Sequence, residues 1–328
     1  MTQVAWAEFA EVVRESRRII LTSHIRPDCD ALGSELGMAG VLESLGKEVV
    51  IVNGQATPPN LAFIDPTRRI KAIGVDVQVD DLRDYDLIMI LDTSAWAQLG
   101  PMTEAIRALP AKRIVLDHHV SEDELGATLF KDTSAEAAGR LVLDAARHLG
   151  VTVTPAIAAP LFCAIATDTG WFRFGSAKAG TYRAAAELIE AGAEPSTLYR
   201  ELYEQDTLGR IVLKGKILSN IQVELNGRLA HTFVLNEDFA KTGALPSDTE
   251  DVVNQLLCIA GTQAAVILVE QPKGGFKISF RSRCALDCSK LAAQFGGGGH
   301  KAAAGAFVPG ALATAQPLVL DAVRAAMP

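Results

Sequence analysis

Acidic and imidazole side chains follow four apolar segments in the first 170 residues of the chain. In chain order these residues are His24, Asp28, Asp30, Asp92, Asp117, His118, His119 and Asp168. If the segments belong to one parallel sheet and its helices, their ends open at one edge of the sheet and the side chains converge. Five carboxylates at one place repel each other unless cations lie among them, since unpaired buried charge is too costly to persist.

Divalent metal ions are the natural cations for such a cluster. Mixed carboxylate and imidazole ligands suit Mn²⁺, with Mg²⁺, Co²⁺ and Zn²⁺ as alternatives. Enough ligands are present for two ions that share one bridging carboxylate. Pairs of ions ~3.5–4 Å apart are the usual apparatus of phosphoester hydrolysis. The cluster therefore predicts that kind of chemistry.

Each motif taken alone also has an ordinary structural interpretation. A pair such as Asp28 and Asp30 is typical of a solvated turn, and a lone acid such as Asp92 or Asp168 of a helix cap or turn. An Asp-His-His tripeptide is compatible with a surface loop. Pro27 stiffens the loop that carries the first three residues, which favours a common role for them. Four motifs that each end a buried apolar segment favour one functional site over four unrelated turns.

A second group lies near the C-terminus, where four consecutive glycines at 296–299 precede His300 and Lys301. A flexible linker is the alternative, but linkers are Gly/Ser-rich and polar over longer spans. Glycines let backbone N–H groups point inward as an anion-binding nest, to which the cations add charge. Arg281 and Arg283 alternate on the preceding predicted strand, so that one side of it is basic. The pattern favours a phosphate-binding segment.

The elements that must position these residues alternate between strand and helix. Compact apolar segments predict strands at 18–23, 48–53, 86–92 and 113–117. Helices are predicted at 31–45, 135–149, 155–167 and 179–191. Nearly continuous apolar strands are typical of parallel sheets that are covered on both faces. We therefore expect an α/β fold, with an N-terminal doubly wound parallel sheet and a smaller α/β C-terminal substrate-binding domain.

The pattern changes near residue 195, and the change sets the expected domains. Residues 1–195 form the catalytic domain, 196–225 a helical connector and 226–328 a nucleotide- or phosphate-binding domain. Within the last of these we expect strands at 229–235 and 264–269, a helix at 251–260, and a hairpin turn at 271–275. A further helix is expected at 287–295, with Asp287 as its N-cap.

Composition excludes several classes of protein. The chain has 328 residues, 49% of them hydrophobic, which excludes intrinsic disorder. A net charge of −8 argues against a protein that coats long duplex DNA. Five cysteines without metal-finger spacing make a disulfide framework and a structural zinc site unexpected. The N-terminus has no secretory h-region, and the longest uncharged segment, 151–167, reads as a buried helix. We expect a cytoplasmic protein with no membrane partner.

The motifs together resemble the DHH phosphoesterases that carry a DHH-associated C-terminal domain. The matching segments are SHIRPDCDALGS, LDTS, LDHH, ATDTGWFRF, FRSR and QFGGGGHKAAAG, within roughly residues 10–310. Within this superfamily the chain is most similar to the bacterial nanoRNase/pAp phosphatase group of oligoribonucleases. The related pyrophosphatases share the first four motifs but lack the glycine-histidine motif.

The resemblance implies a role for each candidate residue. His24, Asp28 and Asp92 hold one metal ion, and Asp30, Asp92, His118 and Asp168 hold the other, with Asp92 bridging. His119 faces the scissile phosphate, and Asp117 orients the histidines. A terminal phosphate or nucleotide is held by Arg281, Gly297, Gly298, Gly299 and His300.

The resemblance also implies a function. It is that of a metal-dependent phosphoesterase, with two divalent ions and Mn²⁺ preferred. The substrates are short single-stranded RNA (nanoRNA), linear dinucleotides, or pAp cleaved to AMP and phosphate. Two alternatives are an inorganic pyrophosphatase or polyphosphatase and an inactive nucleotide sensor. The order among substrates, the exonuclease polarity, the physiological metal and a homodimeric state stay open.

Overall fold

The computed structural model describes residues 4–120, 122–249 and 251–327. The chain divides into two units, Met1–Glu204 and Gln205–Pro328. The segment expected as a connector contains a helix at the end of the first unit and another at the start of the second. Among the described residues, no helix combines the length and the apolar character needed to cross a bilayer.

The first unit is built on a six-stranded sheet in which all neighbouring strands are parallel. Its strands are β1 (Arg18–Thr22), β2 (Glu48–Asn53), β3 (Ile70–Ala72), β4 (Leu87–Leu91), β5 (Lys112–Asp117) and β6 (Thr128–Lys131). Their order in the sheet is β3-β2-β1-β4-β5-β6. The chain moves from β1 toward one edge and then returns to place β4 beside β1. This reversal makes a switch point, where ligands bind in open α/β sheets.

Helices cover this sheet, and the predicted fold class is confirmed. They are α1 (Trp6–Glu15), α2 (Cys29–Ser44), α3 (Trp96–Leu99), α4 (Met102–Ala108), α5 (Ala138–Leu149), α6 (Pro155–Asp168), α7 (Ala179–Glu190) and α8 (Pro195–Tyr203). Short 3₁₀ helices lie at Pro59–Ile64 and Val79–Leu82. The central strand β4 is buried at every residue, which explains its uninterrupted apolar sequence.

Two buried helices, α2 and α6, pack closely because glycines of α2 face α6. A Cβ on Gly33 would lie 2.3 Å from the carbonyl oxygen of Pro160, and one on Gly40 would lie 2.6 Å from Cγ1 of Ile157. Advancing along α2 therefore means moving backward along α6, so the helices are antiparallel. The start of α2, with Asp30, consequently lies beside the end of α6, with Asp168.

The second unit has a mixed sheet of six strands. They are β7 (Gln222–Glu224), β8 (Leu229–Val234), β9 (Ala264–Glu270), β10 (Phe276–Ser282), β11 (Gly298–Gly299) and β12 (Ala303–Val308). Their order is β11-β12-β10-β9-β8-β7, and only β8 and β9 run parallel among the strands described. The expected hairpin is the β9–β10 pair.

In the described part of this unit, five helices accompany the second sheet. They are α9 (Leu208–Ser219), α10 (Asn236–Thr242), α11 (Val252–Leu256), α12 (Cys288–Ala293) and α13 (Leu312–Ala326), with a 3₁₀ helix at Pro246–Thr249. Asp287 caps α12, as predicted, by accepting from the N–H groups of Ser289 and Lys290. The helix expected at 251–260 is wrong in length: α11 ends at Leu256, and turns lead from it to Gly261, whose φ is 84°.

Candidate active site

The centre of the candidate site is Asp92, which directly follows β4 at the switch point. Its φ is 60°, in the left-handed region that few residues other than glycine, Asn and Asp adopt. Its backbone N–H donates to the carbonyl oxygen of Leu116 at the end of β5, 3.2 Å away. The residue is only 2% exposed. The turn thus directs the carboxylate into the space between the ends of β1 and β5.

Two histidines lie on either side of this carboxylate. Nε2 of His24 is 3.3 Å from Oδ2 of Asp92, and Nε2 of His118 is 3.4 Å from Oδ1. His24 is also 4.0 Å from Oδ1 of Asp28. Nε2 of His118 lies 3.6 Å from Oδ2 of Asp30 and 3.7 Å from Oδ2 of Asp168. Asp92 therefore lies between two groups, and the six predicted ligands are brought together.

These side chains could hold metal ions. The ligand atoms of His24, Asp28 and Asp92 all lie within 4.8 Å of one another, as do those of Asp30, His118 and Asp168. Oδ1 of Asp92 is buried and has no hydrogen-bond partner among the described residues. Leaving such an oxygen unsatisfied costs about 1–3 kcal/mol, which a bound cation offsets.

The ring orientation of both histidines also fits a metal. Nδ1 of His24 lies 3.0 Å from the carbonyl oxygen of Ile25, and Nδ1 of His118 lies 3.2 Å from that of Ala135. Because a carbonyl oxygen can only accept, each Nδ1 carries a hydrogen. In the neutral tautomer the lone pair is then on Nε2, which points to the carboxylates. This is the tautomer by which a histidine ligates through Nε2.

Helix N-termini hold two of the carboxylates in place. Asp28 caps α2 by accepting from the N–H groups of Asp30 and Ala31. Asp30 accepts from the N–H groups of Ala138 and Gly139, at 2.7 and 2.9 Å, and so caps α5 from another part of the chain. The positive ends of both helices stabilise negative charge at these positions.

The pKa values show what this crowding of charge requires. Burial raises the pKa of Asp168 to about 6 and, together with the charge of Asp92, raises that of Asp30 well above its usual range. Burial opposes protonation of the histidines, but the close contacts and charges of the carboxylates outweigh it. They raise the pKa of His24 to about 9 and that of His118 to about 10. Without a cation the cluster holds protons instead, and divalent ions would displace them.

Asp117 and His119 form a separate pair beside this cluster. Asp117 is fully buried, and its Oδ1 accepts from the backbone N–H of His119 and lies 2.8 Å from Nδ1 of that ring. Its Oδ2 accepts from the hydroxyl of Ser94 at 2.7 Å and lies 3.5 Å from Nζ of Lys131. The expectation that Asp117 orients both histidines is wrong for His118, because the Ala135 carbonyl holds that ring.

Sequence reasoning missed several buried polar residues that support the site. Oδ1 of Asn53, at the end of β2, accepts from the N–H of Ser23 at 3.1 Å. Its Nδ2 donates to Oε2 of Glu35 at 3.0 Å. Asn53 thereby fixes the end of β1, from which His24 projects. One signal was available for Glu35: it is the one charged residue between Asp30 and Glu43 of α2, in the apolar middle of a buried helix.

We predict that Glu35→Gln stabilises the metal-free protein at alkaline pH. Burial raises the pKa of Glu35 to about 7, while the hydrogen bond from Asn53 opposes this. A folded-state pKa above the unfolded value means that stability is present below about pH 4.5 and is lost as the pH rises through about 7. The variant has no carboxyl group to ionise at this position. Its free energy of unfolding at alkaline pH should therefore exceed that of the wild type by up to about 3 kcal/mol.

Urea unfolding at pH 5 and pH 8 tests this prediction. All three tryptophans, Trp6, Trp96 and Trp171, lie in the first unit, so their fluorescence reports on the unit that contains Glu35. The free energy of unfolding of the variant, relative to that of the wild type, should be higher at pH 8 than at pH 5. An equal difference at both pH values would show that Glu35 ionises normally.

The glycine segment of the second unit is more ordered than the sequence suggested. Gly298 and Gly299 form β11, which pairs with β12. The N–H of Gly297 donates to the carbonyl oxygen of Ala292, and that of His300 donates to Ala303. These two N–H groups do not point toward an anion, so the expected nest is wrong for them.

Different structural requirements explain why glycine occupies each position of this segment. A Cβ on Gly297 would lie 2.2 Å from the carbonyl oxygen of Gly305, and Gly299 has a φ of 145°. A Cβ on Gly298 would meet no described atom within 4 Å, so among the three glycines predicted to bind a ligand this one leaves room for it. On β10, Nε of Arg281 donates to Oδ1 of Asn254 at 3.1 Å, which fixes the guanidinium.

Comparison with known proteins identifies the class to which this fold and site belong. Residues 18–165 match the model described as DHH family, N-terminal domain, and residues 226–327 match the DHHA1 domain. The chain belongs to the DHH family, and the resemblance inferred from its motifs is confirmed.

Similar proteins with names or solved structures lie within or near this family. A protein of Thermus thermophilus named "Bifunctional oligoribonuclease and PAP phosphatase NrnA" is 33% identical over 310 residues, which cover 93% of this chain and 89% of that protein. A protein of the same name from Bacillus subtilis is 30% identical over 294 residues, which cover 88% and 89%. The crystal structure of an exopolyphosphatase-related protein from Bacteroides fragilis superposes with a TM-score of 0.87 at 27% identity, covering 98% of this chain and 95% of that one.

Proposed function

We propose that this protein is a metal-dependent phosphoesterase that hydrolyses short oligoribonucleotides, including linear dinucleotides, and pAp. Family membership and the two relatives named as oligoribonuclease and PAP phosphatase indicate a hydrolase of phosphoester bonds. The observation that carries the proposal is the buried carboxylate of Asp92, which lies between two histidines and has an oxygen without a hydrogen-bond partner.

Six side chains would hold two divalent ions. One ion is assigned to His24, Asp28 and Asp92, and the other to Asp30, Asp92, His118 and Asp168. Mixed imidazole and carboxylate ligands favour Mn²⁺ over Mg²⁺, which prefers oxygen ligands alone. When bound, such a pair lowers the pKa of water and neutralises the charge on a phosphate.

His119 is assigned to the phosphate rather than to a metal. Its hydrogen bond with Asp117 and the charge of Asp92 raise the pKa of the ring, although burial opposes this. The contact of Nδ1 with Asp117 leaves Nε2 as the ring nitrogen that can face a substrate. Protonated at Nε2, His119 donates a hydrogen bond to a phosphoryl oxygen and can pass a proton to the leaving group. Ser94 and Lys131 fix Asp117 from its other side.

A side-by-side assay with Mn²⁺ tests the function. We expect pAp and RNA of two to five nucleotides to be hydrolysed, and pyrophosphate to be a poor substrate. The name of the B. fragilis neighbour makes polyphosphate a useful fourth substrate. Turnover of pyrophosphate or polyphosphate with none of the nucleotides would overturn the proposal, and so would binding of pAp without any hydrolysis.

We further propose that Arg281, Gly298 and His300 bind a substrate group other than the scissile phosphate, with Gly297 and Gly299 shaping the backbone on either side of Gly298. His300→Ala should lower kcat/KM for pAp and short RNA by ~10- to 1000-fold, or ~1.4–4 kcal/mol. Hydrolysis of bis(p-nitrophenyl) phosphate should change much less, because this substrate has no distant phosphate to bind. Loss of a remote contact acts on KM for a minimal substrate and also on kcat for a longer one.

Two variants sharpen this test. Gly298→Val should act in the same direction, because a Cβ there meets no described atom within 4 Å and the added side chain blocks the approach of a ligand. Lys216→Ala removes an exposed cation of α9 and serves as the control that leaves all substrates unaffected. Equal losses on nucleotide and bis(p-nitrophenyl) phosphate would assign His300 to the fold or the metal centre instead.

A further inference from the structure

The turn that follows the ligand Asp168 holds two large aromatic residues in an uncommon backbone conformation. Trp171 has a φ of 56° and Phe172 a φ of 64°, in the left-handed region. The N–H of Trp171 donates to the carbonyl oxygen of Ala166, and the hydroxyl of Tyr182 donates to that of Phe172 at 3.2 Å. Bulky residues persist in this region only where their surroundings enforce it, and such positions cluster at ligand-binding sites.

The turn places Trp171 against two tyrosines one helical turn apart on α8. The ring centroid of Trp171 lies 5.1 Å from that of Tyr199 and 5.6 Å from that of Tyr203. The two tyrosine rings are 4.9 Å apart. Tyr199 is 38% exposed and Tyr203 is 46% exposed, so both present ring surface to solvent. We call these three residues the aromatic platform.

The platform lies next to the candidate metal centre. Trp171 comes three residues after Asp168 in the chain. Helix α8, which carries both tyrosines, packs against α6, whose last residue is Asp168. Trp171 also contacts α6, since its ring centroid lies 5.9 Å from that of Phe162. Helix α2, which begins with Cys29, packs against α6 as well. Cys29 lies between the predicted ligands Asp28 and Asp30. Arg173, in the same turn, adds a cation, which suits a ligand that carries phosphate.

We propose that the aromatic platform stacks a nucleobase of the substrate whose scissile phosphate lies at the metal centre. The proposal rests on the proposed function, because a pyrophosphate or polyphosphate chain has no base to stack. Exposed aromatic rings beside a phosphate-binding site are the usual device for holding single-stranded nucleotides, and they accept any base because every base has a π-face. The platform therefore explains how unrelated short sequences are held in register for hydrolysis.

The first experiment compares substrates with and without a base. The variant Tyr199→Leu/Tyr203→Leu removes the exposed rings, and Tyr199→Phe/Tyr203→Phe keeps them. Wild type and the Phe variant should prefer pAp over ribose 3′,5′-bisphosphate by about 10- to 100-fold in kcat/KM. The Leu variant should lose this preference and keep wild-type activity on the abasic substrate. An equal loss on both substrates, or no base preference in wild type, overturns the proposal.

The second experiment does not depend on catalysis. Fluorescence of 2-aminopurine riboside 5′-monophosphate is quenched when the base stacks on an aromatic ring. In protein freed of metal with EDTA, wild type and the Phe variant should quench it, and the Leu variant should bind it about tenfold more weakly. Equal quenching by all three proteins contradicts the platform. If wild type hydrolyses no nucleotide, the proposed function fails, while this measurement still decides for or against stacking.

Discussion

Replacement of Asp92 by asparagine should lower kcat for pAp and short RNA by at least ~10³-fold, about 4 kcal/mol of transition-state stabilisation. Asp92 is the one predicted ligand shared by both metal ions, and both histidines contact its carboxylate. Asparagine has nearly the same shape and tolerates the φ of 60°, while it removes the charge and replaces one acceptor oxygen by an NH2 donor. Asp92→Ala should lower kcat as much, but alanine at this φ also strains the backbone, so the variant does not isolate the role of the carboxylate.

The control for Asp92→Asn is the same chemical change at an exposed site of the same unit. The side chain of Asp84 is 88% exposed, so Asp84→Asn should leave kcat unchanged. Both variants should keep the wild-type circular dichroism spectrum, because the loss of one acid from a crowded cluster relieves repulsion. If Asp92→Asn stays within tenfold of wild type, Asp92 serves only the turn after β4.

Removal of divalent ions should abolish turnover, and Mn²⁺ should restore it. Without metal ions, the cluster of two imidazoles and four carboxylates is neutralised by bound protons. Protons held on these side chains do not polarise a phosphate as divalent ions do. The Mn²⁺ concentration that restores half of the activity should rise as the pH falls. His24 and His118, with pKa values of about 9 and 10 in the metal-free protein, must lose a proton to bind a metal.

The measurement is activity after exhaustive EDTA treatment, with metal content determined on the same sample, and a Mn²⁺ titration at pH 6, 7 and 8. Each histidine that must deprotonate contributes up to about a tenfold shift per pH unit. Full activity at a metal content near zero would contradict the two-metal account. A half-saturating concentration independent of pH would contradict the assignment of the histidines as ligands.

The first sheet could be predicted because its central strands are apolar at nearly every residue. Helices cover strands β1, β4 and β5 on both faces, and this burial requires apolar residues at nearly every position of the three strands. The short outer strands β3 and β6 were not predicted, because segments of three or four residues are too short to show the hydrophobic periodicity of a strand.

The members of the metal cluster could be predicted for a related reason. Parallel strands bring their carboxyl ends to one edge, so residues that follow β1, β4 and β5 had to meet. What the sequence could not indicate depends on packing between distant segments. Examples are the capping of α5 by Asp30 and the Ala135 carbonyl that holds His118.

The second unit was less predictable because its elements depend on one another. Strand β12, with the sequence AAGAFV, has small residues where β10 and β11 approach it closely, and these give no apolar alternation. Four consecutive glycines carry no strand signal, yet two of them form β11 because β12 offers a partner. Both features are set by tertiary pairing rather than by local propensity.

Anomalous diffraction at the manganese edge, from crystals grown with Mn²⁺, tests directly whether Asp92 joins two metal sites. We expect two peaks per chain that share the carboxylate of Asp92, one beside His24 and the other beside His118. Asp92→Asn crystals should lose at least one of the two peaks. Absence of manganese from this cluster in a protein that hydrolyses pAp, or peaks held by other residues, would contradict the account.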